Sequence, residues 1–143
     1  MLKWPNDLLL DGAKLAGILL ERVGDAVVVG FGLNIAHHPG GLDRPATNLA
    51  DAGGGVHDPG HILLELAESF RAWLGRWRGE GLAPVRRQWL QRAHPTGAAL
   101  AVHAPDGGTV EGLFDGLDES GALRLRLADG ALHVIHAGDV FLL

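Results

Sequence analysis

The chain has 143 residues, 47% of them hydrophobic, and a formal net charge of -5. That length suits one compact domain or a domain with a small appendage, and the apolar content is ample for a core. The acidic balance, without any basic run, argues against a general nucleic-acid footprint. The absence of cysteine excludes a disulfide framework and a thiolate zinc site, and neither an apolar run of membrane-spanning length nor a signal-type start is present, so a cytoplasmic location is expected.

In chain order, Leu8 to Glu21 reads apolar, then an Asp11-Gly12 turn, then apolar again, which is the short-range pattern of a β-hairpin. A third apolar run, Ala26 to Ile35, follows a turn at Gly24-Asp25. Three near-continuous apolar strands predict a sheet covered on at least one face and packed on helices. Residues 36 to 60, rich in Gly, Pro, His and Asp, form the longest irregular segment.

Asp58-Pro59 predicts a helix start, because the aspartate can accept from free N-H groups and the proline occupies a first-turn position that needs none. Ile62, Leu63, Leu66, Phe70, Trp73, Leu74 and Trp77 then recur at helical spacing as one apolar face. Gly79 and Gly81 end this helix, and Pro84 opens a second that carries Val85, Trp89 and Leu90 before Pro95. Trp73, Trp77 and Trp89 are expected to be core anchors. Beyond residue 96, short strands alternate with turns at Asp106-Gly107-Gly108, Asp118 to Gly121 and Asp129-Gly130, and Leu123, Leu125 and Leu127 alternate with Arg124 and Arg126. Closure of roughly five such strands into a small barrel would remove exposed edges. The expected fold class is therefore α+β, a partial mixed sheet with packed helices over residues 1–95, followed by a small barrel over 96–143.

Several residue types invite chemistry. Lys14 sits among Leu15, Ala16, Ile18, Leu19 and Leu20, and a lysine in such company must either snorkel or hold an anion. Gly30 and Gly32 flank Phe31 just before Asn34. Two glycines there let a ligand approach the backbone, although a bulged strand closed by a turn-forming Asn has the same spacing. No dinucleotide fingerprint is formed, since the third glycine and its helix are missing. Asn6 and Asp7, after Pro5, read on their own as ordinary turn formers. His37-His38, His57 with His61, and His133 with His136 have no convincing metal-ligand spacing and are expected to be solvated.

Jointly, Lys3-Trp4-Pro5-Asn6-Asp7, then Lys14-Leu15-Ala16-Gly17-Ile18-Leu19, then Gly30-Phe31-Gly32-Leu33-Asn34 closely resemble the second half of the catalytic domain of biotin protein ligases. The resemblance continues through Ala46-Thr47-Asn48-Leu49, Glu80-Gly81-Leu82-Ala83-Pro84 and Gly121-Ala122-Leu123. It implies a class II aminoacyl-tRNA synthetase-like sheet with helices and a terminal SH3-like barrel. It also implies a two-step acyl transfer, in which biotin and MgATP give biotinyl-5'-adenylate and a lysine of a biotin carboxyl carrier domain then attacks it.

Under that resemblance Lys14 bridges the biotin carboxylate and the α-phosphate, and Asp7 takes the acceptor amine's proton. Gly17, Ile18, Gly30 and Gly32, with Lys14, line the biotin site, while Lys3, Asn6 and Asn34 contact the nucleotide, Asn34 also ligating Mg2+. The family's Gly-Arg-Gly-Arg-x-Gly loop and winged helix are not in the sequence. The chain therefore reads as a C-terminal ligase part that is inactive alone, with no DNA partner and a homodimer through the sheet. A non-catalytic module that binds the carrier domain or another subunit, and a lipoate-ligase relative, are the competing readings.

Overall fold

A computed structural model describes residues 1–41, 44–55, 58–105 and 107–143. His57 and the turn residue Asp106 lie outside the described residues. The chain divides into two compact units, one of Met1 with Asn6–Ala72 and the other of Leu2–Pro5 with Trp73–Leu143. The second unit thus takes in Leu2–Pro5 and everything from Trp73 onward.

In the first unit, β2 (Asp7–Leu10), β3 (Ala13–Val23) and β4 (Ala26–Leu33) form an antiparallel meander. Asp11 and Gly12 both take positive φ, which is the twist a two-residue hairpin turn needs. Gly24 supports the next turn, where Val23 pairs with Ala26. Between β2 and β3 the register slips: Leu8 faces Ala16, but Leu9 faces Lys14, leaving Leu15 as the extra residue of a bulge. Leu15 and Leu9 are buried. A bulge re-aims the side chains beside it and is common next to functional sites.

The strand pairs are antiparallel, so the expected mixed sheet reduces to an antiparallel one with an isolated parallel bridge, Lys14 to Ala46. The expected apolar cover is also incomplete. Leu19, Leu20, Val23, Val27 and Val28 are exposed, because an apolar run encodes a face to be covered and not the element that covers it. After a short helical turn, Ala50–Gly54, comes α1 (Pro59–Glu80). Its start is as the sequence predicts: Asp58 accepts from the backbone N-H of His61 at 3.0 Å and of Gly60 at 3.4 Å. Within this unit Phe70 meets Phe31 edge-on, with ring centroids 5.7 Å apart.

Among its described residues, α1 has no buried side chain, and Trp77 is 52% exposed. Helical periodicity marks an amphipathic face, yet in this chain Trp73 and Trp77 are not the core anchors expected of them, and Leu63 on the same face is exposed. Trp73 instead carries the Arg76 guanidinium over its ring at 5.4 Å.

The second unit holds β1 (Leu2–Lys3), α2 (Ala83–Leu90) and the strands β5 (Ala99–His103), β6 (Thr109–Leu117), β7 (Leu123–Arg126), β8 (Leu132–Ile135) and β9 (Asp139–Leu142). The sheet order is β8-β7-β6-β5-β9, entirely antiparallel. Among the described residues no ladder joins β8 to β9, so the five strands are seen without the closing pair of the expected barrel. The sheet's two edge strands are only four residues each, and short edges limit unwanted pairing without closure.

Leu100, Val102, Phe114, Leu123, Leu125, Ile135 and Val140 make the core, together with Trp4. Trp89 does act as an anchor, packing on this core edge-on to Phe114. The N-terminal strand is stitched in by Leu2 N-H to Arg92 O at 2.7 Å and by the Trp4 indole N-H to Gly121 O at 3.1 Å.

Candidate functional site

The first unit gathers most of the predicted site residues around Lys14. Asp7, at the start of β2, faces Gly17 on β3, and its Oδ1 lies 2.6 Å from Lys14 Nζ. The carboxylate is 7% exposed and the lysine 45%, so a buried acceptor holds a half-exposed cation at a surface opening. Gly17 makes this geometry possible. A Cβ there would sit 3.1 Å from both Cε and Nζ of Lys14 and 3.4 Å from Asp7 Oδ1, tighter than ordinary van der Waals contact.

Two openings meet at this lysine. One, about 480 Å³, is lined by Asn6, Lys14, Gly17, Ile18, Leu19, Gly30, Phe31 and Gly32. The other, about 450 Å³, is lined by Lys14, Ala16, Gly17, Gly32, Leu33, Asn34, Pro39 and Ala46. Lys14, Gly17 and Gly32 line both. The register explains the glycine wall, because Gly17 pairs with Gly32 and Leu19 with Gly30 across β3 and β4. A Cβ at Gly30 would meet Leu19 O at 3.7 Å and Leu19 Cβ at 4.0 Å, and one at Gly32 would meet Gly17 O at 3.8 Å. Each opening is within the size range of small-molecule sites, and a cation on their shared border can serve anionic groups in both.

Asn6 lines the first opening, where its Nδ2 donates to Ile18 O at 2.6 Å and its own carbonyl accepts from Ile18 N-H at 3.0 Å. Asn34 lines the second opening, its Nδ2 donating to Thr47 O at 3.0 Å and Lys14 O at 3.4 Å. Lys3 is not brought to either opening. It is buried in the second unit and donates from Nζ to Val140 O at 3.0 Å. A loop motif's spacing does not say toward which unit each side chain turns.

Phe31 and Leu19 are lining residues that the motifs did not single out. The period-2 alternation around Gly30 and Gly32 carried the signal for Phe31, which pairs with Ile18. The segment 45–49, whose Ala46-Thr47-Asn48-Leu49 the resemblance included without a site role, also reaches Lys14: Lys14 N-H donates to Pro45 O at 2.9 Å and Thr47 N-H to Lys14 O at 3.0 Å. Asn48, 2% exposed, locks that segment through Nδ2 to Asp51 Oδ2 at 2.7 Å and through Oδ1, which accepts from Asp51 N-H at 2.8 Å.

The resemblance places Mg2+ on Asn34. Among the described residues no group of three or more His, Cys, Asp or Glu side chains is suited to hold a metal, so an ion at Asn34 would take most of its oxygens from nucleotide and water. The described histidines have other neighbours: His38 Nε2 is 3.7 Å from Asp51 and His61 Nε2 is 3.2 Å from Glu65. Among the described residues no helix is long and apolar enough to cross a membrane.

The second unit has three perturbed titratable groups, and one of them, Asp118, is held below the usual carboxylate range chiefly by its hydrogen bond from Ser120. Asp115 is held below the usual carboxylate range chiefly by its hydrogen bond from Arg126, against the opposing effect of burial, with Arg124 adding to the attraction. His94, 4% exposed, is pushed below the ordinary imidazole value by burial and then by the Lys3 charge.

Comparison with known proteins agrees with this arrangement. Residues 1–34 match the model of the biotin/lipoate A/B protein ligase family, and residues 101–143 match that of the biotin protein ligase C-terminal domain. Over 98% of its length the chain is 41% identical to a biotin--[acetyl-CoA-carboxylase] ligase of Paracoccus denitrificans, covering 62% of that protein. It is 37% identical over 97% of its length to the enzyme of the same name from Mycobacterium tuberculosis, covering 52% of it. The chain thus spans about half to three fifths of the length of these relatives.

In fold, it matches the apo biotin protein ligase of Aquifex aeolicus with a TM-score of 0.88 at 23% identity, over 99% of this chain and 64% of that one. The same enzyme in complex with biotin and ATP gives 0.88 over 99% and 61%. Shared motifs, shared fold and these relatives lead to one conclusion: the chain belongs to the biotin protein ligase family.

Proposed function

We propose that this chain supplies part of the active site for ATP-dependent activation of biotin and its transfer to a lysine of a biotin carboxyl carrier domain. The observation that carries the reading is the placement of the Lys14 ammonium on the border of two openings, one walled by glycines and one beside Asn34. In the first step a carboxylate oxygen of biotin attacks the α-phosphorus of MgATP, and pyrophosphate leaves. Two anions must approach, and a fixed ammonium between them offsets the repulsion and stabilises charge growing on the phosphate.

Gly17, Ile18, Gly30 and Gly32 would receive biotin in the first opening, where its chain can lie close to the backbone. The nucleotide would occupy the second opening and reach Asn6 across Lys14. Asp7 fixes the ammonium before substrate arrives, which removes the cost of orienting a flexible side chain during the reaction. In the second step the acceptor amine attacks the activated carbonyl, AMP leaves, and the amine's proton passes to a carboxylate, a role assigned to Asp7.

The sequence holds no Gly-Arg-rich loop, so these residues alone are proposed not to complete turnover; residues 96–143, proposed to curl like an SH3 domain, would face the carrier. The test is biotin-dependent exchange of pyrophosphate into ATP by a ligase that contains this chain within a whole catalytic domain. Lys14→Ala should lower the rate by roughly two to three orders of magnitude. Near-normal exchange would overturn the assignment. Because the match at residues 1–34 is to a family of both biotin and lipoate ligases, lipoate competing as well as biotin for that enzyme would favour the lipoate reading.

A further inference from the structure

We infer that Asn34 is a positioning residue for Lys14. The consequence for catalysis rests on the ligase reading above; the geometry does not. Lys14 lies where three stretches of chain meet: the bulged start of β3, the end of β4, and the segment 45–49. The link between β3 and 45–49 is an isolated bridge, with main-chain bonds from Lys14 N-H to Pro45 O and from Thr47 N-H to Lys14 O. So short a pairing is easily opened.

Asn34 ties all three together. Its backbone N-H donates to Leu15 O at 3.0 Å, its carbonyl accepts from Leu49 N-H at 3.1 Å, and its Nδ2 reaches both Lys14 O and Thr47 O. The Lys14 carbonyl therefore receives two donors, Thr47 N-H and Asn34 Nδ2. Holding that peptide fixes the direction in which the side chain leaves β3, and so the return of Nζ to Asp7.

Asn34→Asp tests this role. Aspartate keeps the shape, but it replaces a donor with an acceptor aimed at two carbonyls. The measurement is residue-resolved amide hydrogen exchange on the 143-residue chain, with Asn34→Ser as a second variant that can donate one bond. Protection of the Thr47 and Leu49 amides should fall roughly tenfold or more in the Asp variant and less in the Ser variant. The Leu9 and Ile18 amides, bonded to Met1 O and Asn6 O, should hold their protection.

The chain has only two lysines, Lys3 and Lys14, so acylation by a lysine-reactive reagent gives a second readout. Labelling of Lys14 relative to the buried Lys3 should rise severalfold as its ammonium leaves Asp7. Unchanged Thr47 protection would overturn the inference. If the Asp variant loses protection everywhere, the Ser variant decides: a loss confined to Thr47 and Leu49 supports the role, and no loss refutes it. None of these readouts needs biotin or ATP, so a failure of the ligase reading would leave them standing.

Discussion

Replacing Gly17 with alanine should reveal how far the site depends on one missing methyl group. The backbone itself tolerates the change, since Gly17 is not among the glycines with positive φ. An alanine in a strand is expected to be better than glycine by about 0.5–1 kcal/mol, because the unfolded chain loses freedom. Against that gain, the new Cβ would stand 3.1 Å from Lys14 Cε and Nζ, so the lysine must move and Asp7, 7% exposed, loses its 2.6 Å partner. Severing a buried pair costs about 3–5 kcal/mol, but this lysine is 45% exposed and water can screen the carboxylate, so the loss is nearer 1 kcal/mol.

Gly17→Ala should therefore be close to neutral in the natural background and stabilising by about 0.5–1 kcal/mol in a Lys14→Ala background. The coupling between the two positions would be about 1 kcal/mol. All four tryptophans, Trp4, Trp73, Trp77 and Trp89, belong to the second unit, so urea unfolding is best followed by far-ultraviolet circular dichroism or by exchange of the β3 amides. Equal effects in the two backgrounds would refute the steric argument, and a large destabilisation in both would point to backbone strain instead.

Two further outcomes concern stability. His94 has its pKa depressed in the folded chain below the ordinary 6.5, so the unfolded state binds more protons; stability is full above about pH 6.5 and falls as pH drops through that value. His94→Gln should flatten this dependence in urea midpoints measured from pH 7.5 to 5, and an unchanged slope would remove His94 as its source. Leu125→Ala, at a side chain with 0% exposure, should cost about 2–5 kcal/mol, while Leu64→Gln on the bare face of α1 should stay within about 0.5 kcal/mol. A comparable loss from Leu64→Gln would mean that this face is covered in solution.

Local chemistry made several elements legible. Asp11-Gly12 marked the first hairpin, and Asp58-Pro59 the start of α1, because each depends on neighbours in the chain alone. Trp89 and Trp77 show the limit of periodicity: both lie on apolar helical faces, yet one packs on Phe114 and the other is half exposed, since burial depends on what arrives from elsewhere. For the site, the motif order pointed to Lys14, Asp7 and the glycines, which the strand register brings together. The turn of Lys3 toward Val140 and the grip of Asn34 on the 45–49 segment depend on contacts distant in sequence, and no spacing rule conveys them.

The motif Lys3-Trp4-Pro5-Asn6-Asp7 is divided between the units, with Trp4 filling the core of the second and Asp7 pairing with Lys14 in the first. Anyone excising a small C-terminal module at residue 96 would therefore remove a plug as well as a tail. The excised sheet would lack the indole that packs against Leu123 and its neighbours and donates to Gly121. A transplantable version of that sheet has to carry its first residues with it, by circular permutation or as an added peptide, and mutational scans of the five-residue motif will mix folding defects with catalytic ones.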